Sequence, residues 1–166
     1  MSKSQRVSSS EAKARGYDPA AIERIRVAES ANAEAAVLIP EIEAAFDGVP
    51  RPRITLSVAK GFDDEWNLSE GRIEELAATD PETTWQDVPD ESIEGRQEYF
   101  TFSDPEGWRF YLPAYMTHCL RSFPDCGWGA VLTACFNRMH VDLLTEAQLR
   151  CVDQFVELCR RHGQYP

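Results

Sequence analysis

The sequence predicts a small α+β domain, mostly helical, in which several helices pack one antiparallel β-hairpin. Three observations lead there. Glu98 to Phe123, EYFTFSDPEGWRFYLPAYMTHCLRSF, is the densest aromatic run and changes from strand-like to helix-like spacing along its length. The segments on either side carry helix starts and stops. At 166 residues the chain has the length of one domain, enough to bury roughly two-thirds of its unfolded surface.

In chain order, residues 1–17 are rich in Ser, Lys and Arg without periodicity and read as a mobile tail. Residues 18–39 read as an N-terminal helical extension. Asp18 supplies an N-cap and Pro19 fits the first helical position. The apolar stripe behind them is thin: Ile22, Ile25, then mostly alanines. A single globular domain follows over 40–163. Pro40 opens a short helix from Glu41 to Phe46, and Asp47-Gly48 ends it. Thr55 is the N-cap of a helix that sets Leu56, Ala59 and Trp66 on one inward face, with Val58 and Phe62 beside it. The β-branched content of 54–58 suits a strand as well, and both readings stay open. Ser69 caps a further helix carrying Ile73, Leu76 and Ala77, which Asp80-Pro81 breaks. Trp85, Val88 and Ile93 pin the acidic connection that follows.

The hairpin rests on alternation. Phe100, Phe102, Trp108, Phe110 and Leu112 alternate with Tyr99, Thr101, Arg109 and Tyr111, the period of a half-buried strand pair. Asp104-Pro105-Glu106-Gly107 is the turn. A four-residue loop would pair Phe102 with Arg109 and mix both faces. A three-residue loop with a glycine bulge sets Phe102 opposite Phe110 and Phe100 opposite Leu112, and register follows the buried face. Each apolar pair so aligned adds ~0.2–1 kcal/mol. Pro113 then starts a helix with Tyr115, Met116, Cys119, Leu120 and Phe123 inward, and Pro124 ends it. The apolar run 130–136 fits a strand or a buried helix equally. The last helix has a capping-box pattern at Thr145 and Gln148, a buried stripe from Leu149 to Cys159, and Gly163 as its stop.

Charge narrows function. The net charge is −11, and residues 63–106 hold 15 acids against two bases, Arg72 and Arg96. Nucleic acid and anionic membranes both need a basic face, so neither is expected as a partner. A basic protein partner steered to the acidic middle is compatible. There is no apolar run of membrane-spanning length and no signal-peptide core, and five cysteines are an odd number. Reduced thiols in a cytoplasm are therefore expected.

Chemistry-bearing patterns are sparse. No metal is expected, because there is no C-x-x-C or H-x-x-x-H spacing, and no cofactor, because no glycine-rich phosphate motif occurs. Cys126, in a glycine-flanked loop, is the thiol expected to be exposed, with Asp125 beside it to raise its pKa. The second face of the hairpin, Tyr99, Arg109 and Tyr111, with Tyr115 and His118 nearby on the helix, is the candidate binding surface. The alternative is that the acidic segment covers this face and gives Arg109 a carboxylate partner.

Asp104-Pro105-Glu106-Gly107-Trp108-Arg109-Phe110-Tyr111-Leu112-Pro113-Ala114-Tyr115-Met116 resembles the central motif of an uncharacterised bacterial family known only as a domain of unknown function. Thr55, Leu56, Ala59, Asp63 and Asp64 match its upstream segment, and Leu144, Thr145, Gln148, Val152 and Phe155 its terminal helix. The resemblance spans roughly Glu41 to Cys159 and implies no activity. The favoured function is a non-enzymatic cytosolic protein-binding domain, immunity-type or regulatory. The runner-up is a small enzyme using His118 or Cys126 with nearby carboxylates. Oligomeric state is not legible.

Overall fold

The computed structural model describes residues 6–166. Among the described residues there is no strand, and the hairpin expected over 98–112 is helix instead. Asp104 does not open a turn. Its Oδ1 accepts the Gly107 N–H at 2.8 Å, and Pro105 fills the first position of a long helix, Pro105–Ser122. Tyr99–Phe102 is a separate short helix before it.

The alternation misled for a physical reason. From Gly107 to Leu120 every residue except Arg109 and His118 is buried. A helix enclosed on all sides shows nearly continuous apolar residues, and a period of two can be fitted to it as easily as one of 3.6. Pro113 lies inside this helix rather than at its start.

Nine helices pack in chain order among the described residues: α1 Ser9–Ala14, α2 Pro19–Ala45, α3 Leu56–Asp64, α4 Glu70–Ala77, α5 Asp90–Glu94, α6 Tyr99–Phe102, α7 Pro105–Ser122, α8 Ala130–Asn137 and α9 Glu146–Arg161. Part of the stretch read as a tail therefore forms α1, whose Ala12 is buried; residues 1–5 of it lie outside the described residues. Both segments left open resolve as helix, in α3 and α8.

Helix α7 is the axis of the core, and α2 and α9 lie against it or each other. In α2 the thin stripe is real but not peripheral. Ala31, Ala35, Leu38 and Ile42 repeat at helical spacing and are all buried. The helix runs through Pro40, so the expected break into an extension and a second helix does not occur. Helix α9 follows expectation. Thr145 N–H donates to Gln148 Oε1 and Gln148 N–H to Thr145 Oγ1, the two bonds of a capping box. Gln148 Nε2 also donates to the Ala45 carbonyl at 3.1 Å, which ties the start of α9 to the end of α2. Gly163 ends α9 with φ +67°, where glycine is unstrained.

Helices α3 and α4 form a helical hairpin with a small core of its own, Val58, Leu68 and Ile73. The hairpin attaches to the main body through α6.

Candidate functional site

The three tyrosines chosen from the sequence do converge, but inside the protein. Tyr99, Tyr111 and Tyr115 are essentially fully buried. Tyr99 meets Tyr111 edge-on at 4.6 Å between ring centroids and lies at 6.4 Å from Tyr115. Each hydroxyl is committed within the fold. Tyr99 donates to the Ile54 carbonyl at 2.7 Å, Tyr115 to the Arg96 carbonyl at 2.7 Å, and Tyr111 to Glu82 Oε1 at 2.6 Å. Burial pushes all three phenols well above their ordinary pKa, and for Tyr111 the Glu82 carboxylate adds to it.

The acidic segment therefore does cover this face, though not by pairing Arg109. Asp80 and Glu82 enter from the α4–α5 connection. Asp80 accepts both the Ser57 N–H at 2.8 Å and the Ser57 hydroxyl at 2.7 Å, capping the N-terminus of α3 from a distance in sequence. Thr55 occupies the expected N-cap position but makes no side-chain cap bond, because Asp80 serves in its place. Arg109 points the other way, donating weakly to the Leu143 carbonyl at 3.4 Å. His118 sits at the edge, with Nε2 3.1 Å from Glu94 Oε1. The candidate binding residues thus divide into three buried tyrosines and two half-buried residues on different sides.

Gly107 explains the tightness of this region. A Cβ there would collide with the Tyr99 hydroxyl and crowd Asp104 Oδ1 at 2.9 Å and the Ile54 carbonyl at 3.1 Å. The central motif and the segment from Ile54 onward meet at this point, so these motif residues hold the fold together.

The thiols gather as well. Cys119 on α7, Cys126 in the following loop, Cys135 on α8 and Cys159 on α9 influence one another's ionisation. Cys119, Cys135 and Cys159 are buried and Cys126 is half-buried. Asp125 does not act on Cys126 as expected: its carboxylate is engaged by Arg6 at 3.2 Å. The neighbouring Cys119 thiol holds Cys126 below the ordinary thiol range, at about 7, against the upward pull of burial. Among the described residues no three Cys, His, Asp or Glu side chains are grouped to hold a metal ion.

The exposed site lies where the sequence reading placed core. Trp66 was expected on the inward face of α3. Instead α3 ends at Asp64, and Trp66 stands in the α3–α4 loop at 104% exposure, with Phe62 at 37% one turn earlier. Over residues 56–77 there are six acids and two bases, Lys60 and Arg72. Lys60 bridges Asp63 and Asp64, and Arg72 reaches Glu65 at 2.9 Å. The hairpin beneath is well built: Gly61 lets Leu76 and Leu68 close over α3. An indole held entirely in water beside a small apolar core is the feature that the sequence pattern did not show. The available signal was Asp63-Asp64-Glu65 immediately before it, a charged run that ends an apolar face.

Residues 34–164 match a family of unknown function (DUF6714), and the chain belongs to it. The match starts within α2 rather than at Glu41. No curated protein and no solved structure matches the chain.

Proposed function

We propose that this member of the family is a protein-binding domain that docks through the tip of its acidic helical hairpin. Its partner is a protein surface that is basic and offers an apolar pocket of indole size. Trp66 carries the reading: a large apolar side chain wholly in water has no pocket within its own chain. Trp is among the residues that dominate interface energies, and the surrounding carboxylates supply a polar rim that steers a cationic partner. Occupying a basic face of another protein is the work of an immunity-type inhibitor or a regulatory subunit. Five free thiols support a reducing cytoplasm as the compartment, and no helix is long and apolar enough to cross a membrane.

The test places a photo-crosslinking amino acid at position 66 of the full chain, with the exposed Met139 position as control. The expected result is one basic protein captured at 66 and not at 139. Its affinity then falls at least about tenfold in Trp66→Ala. It also falls when salt rises from about 0.1 to about 0.5 M. Equal capture at both positions, or an affinity indifferent to Trp66→Ala, overturns the reading.

A further inference from the structure

The N-terminal arm builds a cleft far from the hairpin in sequence. Helix α1 folds back on α2: Ala12 is fully buried, and Ser9 donates its N–H to Glu29 Oε1 at 2.9 Å and its hydroxyl to Glu29 Oε2 at 2.5 Å. Arg6 reaches the Ser122 carbonyl at 2.9 Å and Asp125 at 3.2 Å. Asn32 Nδ2 donates to the Phe123 carbonyl at 3.0 Å. Between these ties the arm and α2 leave a cleft of ≈ 470 Å³. Small-molecule sites run from roughly 300 to 1,000 Å³, so the cleft is of ligand size.

Its lining joins an aliphatic floor to cationic groups. Val7, Ile25 and Ala28 are half-buried along it, and no aromatic ring is among the lining residues. The cations are Arg6 and Arg24. Among the described residues Arg24 makes no ion pair or hydrogen bond, whereas Arg26, two residues on, is paired with Glu23 at 3.1 Å. Arg6 makes both of its contacts through Nη2, which leaves its Nε and Nη1 hydrogens to donate. The two acids of the lining are already engaged. Asp125 is paired with Arg6, and the Ser9 hydroxyl and N–H hold the Glu29 carboxyl below its ordinary range. What the cleft offers a ligand is therefore N–H donors on cations and aliphatic surface. The match is a negatively charged, acceptor-only head on an aliphatic body. Every lining residue except Asp125 precedes residue 34, so the cleft is built on a part of the chain outside the family match.

We propose that this cleft binds a free aliphatic monocarboxylate of medium chain length, with Arg24 and Arg6 on the carboxylate and Val7, Ile25 and Ala28 against the chain. A carboxylate fits the planar guanidinium fork, and each methylene that the floor covers adds to affinity. An alcohol or an amine of the same length gains the floor but leaves Arg24 without an anion. Arg6 and Val7 belong to the arm, and Arg24, Ile25 and Ala28 to α2, so a bound chain fastens the arm to the body. Trp66 and the hairpin take no part, and this inference stands or falls independently of them.

The test titrates octanoate into the full chain at neutral pH and follows the heat by calorimetry. A single saturable site is expected, with a Kd on the order of 0.1–1 mM. Shortening the chain to hexanoate weakens binding about tenfold. Octanol and octylamine bind at least about tenfold more weakly than octanoate. Arg24→Gln, at an exposed position, lowers the octanoate affinity about fivefold. Ala28→Glu sets a carboxylate in the floor and removes binding, while Trp66→Ala leaves it unchanged. Circular dichroism checks that the variants keep their helix, and Arg24→Gln decides by itself if Ala28→Glu does not fold. No saturable heat, octanol bound as tightly as octanoate, or an affinity indifferent to Arg24→Gln overturns the proposal. So does co-sedimentation with phosphatidylglycerol vesicles without binding of free octanoate, because the arm would then be reading a lipid surface.

Discussion

Helices α2 and α7 begin with the same two residues, Asp18-Pro19 and Asp104-Pro105, and each contains an interior proline, Pro40 and Pro113. In both, the aspartate accepts the N–H of the third helical residue: Ala21 at 3.0 Å and Gly107 at 2.8 Å. There the likeness ends. Helix α2 buries one row of small and aliphatic residues and leaves the rest of its surface in water. Helix α7 is enclosed almost all round. The third position is Ala in one and Gly in the other because the Tyr99 hydroxyl lies over Gly107. Cap chemistry is local and the same in both helices. The requirement for glycine comes from a side chain on another element.

Substitutions and solution conditions that separate the two helices follow from this difference. Alkaline pH has the largest effect. Burial raises the Tyr99, Tyr111 and Tyr115 phenols, so the fold favours their neutral form. That stabilisation is complete below the ordinary phenol range and is lost as pH climbs above about 10. Circular dichroism and tyrosinate absorbance, recorded together, are expected to show these three phenols ionising as helix is lost. Ionisation with helix intact would mean that they are not enclosed.

Gly107→Ala comes next. The added methyl group must displace Tyr99 or the cap, at a cost of about 3 kcal/mol read from the denaturant midpoint. Tyr111→Phe takes the donor from the buried Glu82 carboxylate. A loss of about 2 kcal/mol is expected, and a double cycle with Glu82→Gln reports the coupling. Asp104→Ala, at a half-buried cap, is expected to cost about 1.5 kcal/mol, and Asp18→Ala, at an exposed one, about 0.5 kcal/mol. Equal losses at the two caps would erase the distinction between the helices. Ala21→Gly in α2 is expected to cost no more than that exposed cap, about 0.5 kcal/mol by propensity alone.

What could be read from the chain was short in range. Asp18, Ser69 and the Thr145–Gln148 box act as caps where they were expected, and Gly163 ends the last helix. The same Asp-Pro signal at 104–105 was outweighed by an alternation that had no strand behind it. Burial on every face erases the period that would distinguish helix from strand. The candidate site was half legible. The tyrosines do meet, and the acidic segment does cover them. Their exposure was misjudged, because whether Tyr111 faces water depends on Glu82, 29 residues away.

By itself, then, the sequence determined the starts of α2, α4 and α9, the stop of α9, the acidic middle, the odd number of thiols and the family. Each is a property of adjacent residues or of composition. Only the tertiary structure decided that Trp66 stands outside and Tyr111 inside, that Cys119 and Cys126 line one cleft, and that α7 rather than a hairpin is the axis of the fold. Those outcomes depend on which surfaces close over a given side chain, and the closing groups come from distant parts of the chain. The run from Glu98 to Phe123 remains the centre of the molecule, as a wrapped helix whose tyrosines are all spoken for.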